Sequence, residues 1–449
     1  MGTKNRIKTN LIPSSEPFKI FLILVLILCL KGKHSSLTAQ DFIVSGEFRP
    51  ETQYNNYMVY PGYDPIFLIS QRTRLKFDYA NTLKNYKARL TIQDISIWGS
   101  SDQLTTVGNN SLMTHEAWIE LLLKNDLSLK IGRQVICYDD ERILSENDGL
   151  QQARSHDIGI LKYEGDFHFH LGAAYNNNTD PLQSFKLPYT LNNYKTMQYA
   201  HFNKEMSRFD ISLLTMNSGL ELSPDTMVYN QTFGFNTNAM LNDFLSATGL
   251  FYYQTGKDHM YRDLSAYNTK VTLCYAPVPD KLFLTLGYNR LSGNDRNTPA
   301  NENHSFSLFY GAPLGNLGLT SQYYLGPPIG ISSYNFGITN TTFEILFNTE
   351  KMVLSHCLIL LNSINTISSS IDEADGKYLG IENSFRVDYQ INEQVMFCLQ
   401  VYIFNMSNNF KIANPYFDYS TLEGTQQSIV LNCTVLPVFF KFKRRNDVK

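Results

Sequence analysis

The sequence predicts an all-β chain folded as one transmembrane antiparallel β-barrel of roughly 16–18 strands. Three observations lead there. Segments in which charge alternates with apolar bulk recur along the chain, RTRLKFDY (Arg72 to Tyr79) being the clearest. Such a period of two puts one residue set on each face of a strand. After residue 39 no apolar run is long enough to cross a bilayer as a helix, and a membrane chain without such helices must close its strands into a barrel. Composition agrees: charged residues make up 18%, and Tyr (28) and Phe (29) far outnumber Trp (2), a bias toward strands.

The N-terminus reads as a secretory leader over residues 1–39. Lys4, Arg6, Lys8 and Lys19 precede the apolar run IFLILVLILCL (Ile20 to Leu30). That run is too short for a spanning helix and suits a signal-peptide core, with Ala39 as the small residue before cleavage. Residues 40–449 are then a single barrel, with no linker dividing them.

In Arg72 to Tyr79, Arg72, Arg74, Lys76 and Asp78 share one face, and Thr73, Leu75, Phe77 and Tyr79 the other. Tyr86 to Ile97 sets Lys87, Arg89, Thr91 and Gln93 against Ala88, Leu90 and Ile92, with a slip at Asp94 that suggests a bulge. Ala117, Ile119, Leu121 and Leu123 lead to a turn at Lys124-Asn125-Asp126, and Leu127, Leu129 and Ile131 return. Alternation continues at Phe167 to Tyr175, Phe209 to Leu213 and Leu282 to Tyr288. Polar, Gly/Pro-marked loops are expected at Asn176 to Asn193, Asn217 to Thr232, Leu291 to His304, Gly326 to Tyr334, Asn362 to Lys377 and Asn405 to Gly424. Long loops alternating with short turns are the habit of outer-membrane barrels. Ser428 to Phe442 reads as the closing strand, although Pro437 is awkward in a strand that pairs on both sides and the basic tail Lys443-Arg444-Arg445 is atypical.

Without its leader the chain loses six Lys/Arg and one Glu, leaving 32 basic and 40 acidic residues, a net of −8. Nothing in that balance attracts nucleic acid. The five remaining cysteines stand singly, which fits neither a zinc site nor a disulfide framework. No G-x-S-x-G, H-E-x-x-H or phosphate-binding loop occurs, so neither an enzyme nor a cofactor is expected. His168 and His170 share a face and Asp139-Asp140-Glu141 forms an acidic run. A polar lumen pair and a turn salt-bridged to Arg133, Arg142 and Arg154 account for them more simply than a metal.

The densest mixture of charge lies in IGRQVICYDDERILSENDGLQQARSHD (Ile131 to Asp157). Gly132-Arg133-Gln134, Tyr138, Asp140, Arg142, Gln151, Arg154 and Asp157 resemble the signature of the alginate-export family of bacterial outer-membrane β-barrel proteins, while Asp139, Ser145 and Gly149 depart from it. Gln40 to Tyr54, Arg72-Thr73-Arg74-Leu75, His115-Glu116-Ala117-Trp118 and Leu291 to Asp295 resemble further family motifs. The resemblance implies a bacterial outer-membrane location and a passive channel for a polar or anionic solute, up to an alginate-like acidic polysaccharide. Its partners would be outer-membrane lipid and periplasmic export or assembly machinery. The candidate lumen contacts are Arg72, Arg74, Arg89, Arg133, Asp140, Arg142, Arg154 and Asp157, since guanidinium groups hold carboxylates bidentately. A barrel enzyme and a secreted carbohydrate-binding β-protein stay open as rivals, the latter disfavoured by so many strands with an apolar outer face.

Overall fold

The computed structural model describes residues 40–56, 65–81, 85–100, 112–177, 194–223, 226–295, 297–308, 310–312, 336–366, 376–412 and 424–443. The expected leader, the loop expected at Gly326 to Tyr334 and the basic Arg444-Arg445 lie outside them. The first strands are β1 (Gln40–Asn55), β2 (Ile66–Asn81), β3 (Tyr86–Ile97), β4 (Met113–Lys124), β5 (Leu127–Gln134), β6 (His156–Glu164), β7 (His168–Tyr175), β8 (Thr196–Glu205), β9 (Phe209–Ser223) and β10 (Thr226–Met240). They continue as β11 (Leu245–Lys257), β12 (Asp263–Val278), β13 (Leu282–Leu291), β14 (Glu302–Asn303), β15 (Ile338–Asn348), β16 (Met352–Ser363), β17 (Tyr378–Asn392), β18 (Val395–Met406), β19 (Thr425–Val435) and β20 (Val438–Lys443).

The wall is a closed antiparallel barrel of 18 strands, counted over the described residues. The two-residue β14 only edges β12 from within a loop, and β20 continues β19 after a break. The first strand closes the barrel: β1 pairs β19 from Phe48↔Val435 to Asn55↔Ser428, and β20 from Asp41↔Lys443 to Ser45↔Val438. Pro437 sits in the gap between these two pairings, so it interrupts no ladder, and its carbonyl still accepts from the Gly46 amide at 2.8 Å. The awkward proline marks a bulge in the closing strand.

Alternation decides which side chains meet lipid. Leu75, Leu90, Ile119, Ile131, Leu171, Leu213, Phe235, Phe251, Leu286 and Phe343 are all exposed on the outside of the wall. So large an apolar surface suits a bilayer and would be costly in water. The short connections, such as Lys124 to Leu127 and Asn392 to Val395, gather at the end where both Gln40 and Lys443 lie. The longer connections gather at the other end.

Two expectations need correction. No bulge occurs at Asp94, because β2 and β3 pair without interruption from Ser70↔Ile97 to Asn81↔Tyr86. The irregularity is across the next seam, where Thr91 faces Glu116 and Ile92 faces Thr114, leaving His115 as the extra residue. Asn217 to Thr232 is not a loop either. β9 and β10 run through it as a hairpin with Ser218, Asn230 and Thr232 buried on the inside. A strand with a polar inner face that rises beyond the apolar belt has the composition of a loop, and this misled the reading.

Candidate functional site

The segment between β5 and β6, residues 135–155, turns into the barrel instead of away from it. Its apolar side chains explain one contact. Ile136, Ile143 and Leu144 are buried with Tyr194, Met197, Leu214, Met216, Phe306, Leu308 and Tyr310 in a core that fills the lumen beside β6–β12. Burying such side chains stabilises by about 1.5–3 kcal/mol each. The polar side chains tie the segment down on three sides.

Toward β1–β3, Arg72 lies against Glu47 and, at 2.8 Å, Asp148. Arg49 donates to the Asp148 and Leu150 carbonyls at 2.8 and 3.0 Å and to Gln151 Oε1 at 3.2 Å. Arg74 donates to Gln93 at 2.6 Å and meets His115 at 3.0 Å. Toward β8–β11, Asp139 accepts from His201 at 3.1 Å, from Tyr252 at 3.1 Å and from the Ser212 hydroxyl. Tyr138 meets His170 at 2.8 Å and Tyr199 at 3.0 Å. Toward β12 and β13, Arg142 donates to Asn268 at 2.9 Å and Asn289 at 3.2 Å, and Asp140 lies 3.0 Å from Arg142 and 3.4 Å from Lys270. Burial pushes the Asp140 carboxyl up, but Arg142 and Lys270 outweigh it and hold it below the usual aspartate range.

The candidate residues therefore separate. Arg72, Arg74, Asp140 and Arg142 come together in the lumen as anchors of the infolded segment. Arg89, also inside, pairs with Asp78 at 2.6 Å and Glu116 at 3.4 Å nearer the short-turn end. Arg154 donates to the carbonyls of Tyr310 and, at 3.3 Å, Gly311, and burial lowers its pKa. Arg133 and Asp157 correct the lumen reading. They form a bidentate pair at 2.8 and 2.7 Å on the outer face, since Arg133 shares its side of β5 with the 48%-exposed Ile131 while Gln134 is buried inside. The alternation Leu127, Leu129, Ile131 already carries Arg133 to the outer face, and the choice of Arg133 as a lumen contact followed the motif instead of that parity. Of the expected turn salt bridges, Asp140–Arg142 forms.

Between the infolded segment and the wall from β12 through β19 to β3 remains a cavity of about 1280 Å³. It reaches from Leu436 and Met396 near the short-turn end to Gln53 and Leu68 toward the loop end, bordered by Thr285, Thr342, Ser355, Ser384, Gln400 and Asn432. Its ionisable border includes Glu47, Arg49, Glu51, Glu146, Asp148, Lys270, Glu344 and Arg386. Most of these escaped the sequence reading. Glu47, Arg49 and Glu51 were visible as alternate residues of one strand, as were Glu382, Arg386 and Asp388, but Glu344 is a single charge between Phe343 and Ile345. Cys137, Cys357 and Cys398 also border the cavity.

No family model matches the chain, so the alginate-export likeness remains one of motifs, and no curated protein matches it. Solved structures do match. Pseudomonas aeruginosa OccK9 (OpdG) aligns with a TM-score of 0.59 at 12% identity over 89% of this chain and 98% of that one. P. aeruginosa OpdK with vanillate gives 0.56 at 10% over 89% and 99%. Acinetobacter baumannii OccAB4 gives 0.57 at 10% over 91% and 100%. At such identities the likeness is one of fold: the chain is a closed 18-stranded barrel of the outer-membrane porin type.

Proposed function

We propose that this chain is an outer-membrane channel through which small polar solutes cross passively, without chemistry. One observation carries the reading: a cavity of about 1280 Å³, lined by charged and polar side chains among apolar ones, runs along the inside of a closed barrel whose outside is apolar. Closed strands leave no unpaired backbone in lipid, and a partly filled lumen limits what passes to small solutes. The infolded segment acts as the constriction, and the short-turn end, where Gln40 and Lys443 lie, faces the periplasm. The vanillate in the OpdK structure supports a small-molecule cargo by analogy of fold.

Export of an acidic polysaccharide finds less support. The motif that suggested it supplies anchors for the constriction (Asp140, Arg142) and an outward ion pair (Arg133, Asp157). Single-channel recording of the refolded protein in a planar bilayer, with and without uronate oligomers, tests both readings. Steady conductance steps without blockade are expected. Blockade by uronates would restore the polysaccharide, and a folded barrel without conductance would refute the channel.

A further inference from the structure

The charges bordering the axial cavity are unequally engaged. Among the described residues its three cations are all paired: Arg49 lies 3.4 Å from Asp148, Lys270 3.4 Å from Asp140 and Arg386 2.7 Å from Asp388. Two carboxylates, Glu51 on β1 and Glu344 on β15, border the same cavity with no hydrogen bond or ion pair among the described residues. Arg49 and Arg72 act on Glu51, and Lys270 on Glu344, only through space. On the same face of β15, Asn340 is 1% exposed, and neither its side-chain nitrogen nor its oxygen has a partner. A buried amide left this way is unfavourable unless water or a solute meets it. Depth adds to the asymmetry. Arg72 and Arg142 are 1% exposed behind the carboxylates they pair with, whereas the Asp148 side chain is 50% exposed to the passage.

An anion entering this cavity finds each bordering cation already neutralised at close range, while a cation finds two open carboxylates. Fixed charge in a narrow, low-dielectric passage sets the local ion concentration. We infer that the passage favours cationic solutes, small molecules bearing an ammonium or guanidinium group, with Glu51 and Glu344 as the receiving charges and the Asn340 amide as a neutral hydrogen-bonding partner. The inference rests on the channel reading and adds its charge preference.

The test is the reversal potential of the refolded full chain in a neutral-lipid bilayer under a KCl gradient. A potential of the sign given by potassium permeability exceeding that of chloride is expected. The double variant Glu51→Gln, Glu344→Gln should shift it toward zero while conductance persists. Swelling of protein-containing liposomes should be faster in L-arginine than in L-glutamate, and the variant should narrow the difference. A zero or chloride-signed potential in the unaltered protein overturns the charge preference and leaves the channel standing. So does an unshifted potential in a folded variant. A folded barrel that conducts nothing overturns the channel and the inference with it. If the variant does not fold, the sign measured on the unaltered protein decides.

Discussion

Replacing Arg72 with methionine should loosen the infolded segment without opening the barrel wall. Arg72 is 1% exposed, lies against Glu47 and 2.8 Å from Asp148, and donates to the Leu150 and Gln151 carbonyls at 3.4 and 3.3 Å. Removing one partner of a buried ion pair costs about 3–5 kcal/mol, because the other charge is left uncompensated. Here both carboxylates keep company: Glu47 retains Arg74 at 3.5 Å and Lys76 at 3.4 Å, and Asp148 retains Arg49 at 3.4 Å and access to water. The lower end of that range, about 3 kcal/mol, therefore applies. Glu47 stands beside Arg72 in the wall, so only the contacts to the half-exposed Asp148 and to the Leu150 and Gln151 carbonyls weigh on docking; with screening these come to about 1.4 kcal/mol, about tenfold in the docking equilibrium. Single-channel traces of Arg72→Met should show excursions to a higher conductance that the unaltered protein visits rarely. A variant that folds, judged by its heat-modifiable electrophoretic mobility, yet matches the unaltered protein in conductance and current noise would refute the anchoring argument.

Further outcomes follow from the same geometry. Arg133→Ala should leave conductance and selectivity unchanged, since its pair with Asp157 faces outward, and a changed reversal potential would contradict that placement. Gly132 adopts φ +125°, and a Cβ there would overlap the Ala117 carbonyl oxygen. Gly132→Ala should therefore cost at least about 1–3 kcal/mol and lower the denaturant midpoint of the barrel. Burial pushes the Cys137 thiol up to about 11, with Glu141 adding to the effect. Its labelling by a methanethiosulfonate reagent, followed against a Cys137→Ser control, should rise about tenfold per pH unit between pH 7 and 9 as the thiolate fraction grows. A rate that bends toward a plateau near pH 9 would mean an unshifted thiol, and a flat one a thiol already ionised at pH 7. Burial raises the Asp258 pKa, but the amides of Arg262 and Met260 and the Arg262 guanidinium outweigh it and hold the group below its ordinary 3.8. Its contribution to the 258–262 loop is complete above that value and disappears as pH falls through the lowered one. Protease sensitivity of that loop should appear only in strong acid, and loss of protection already at pH 6 would contradict the assignment.

Much of the wall was legible because strand alternation is local. Arg72 and Leu75, Arg89 and Leu90, and Lys124 to Asp126 each declare a face or a turn within a few residues, and the fold class follows from their repetition. The candidate arginines were found by the same means, but not what they serve. Arg142 meets Asn268 and Asn289 more than a hundred residues away, and Arg49 meets Gln151 across a comparable separation. Whether the segment 135–155 turns outward as a loop or inward as a constriction depends on those partners, because its own residues suit water and a polar lumen equally. Only closure of the barrel brings β1–β3 and β12–β13 to opposite sides of that segment. By that closure the buried guanidiniums become anchors and Glu51 and Glu344 are left as the open charges of the passage, whereas strand alternation alone already sets Arg133 outward beside Asp157.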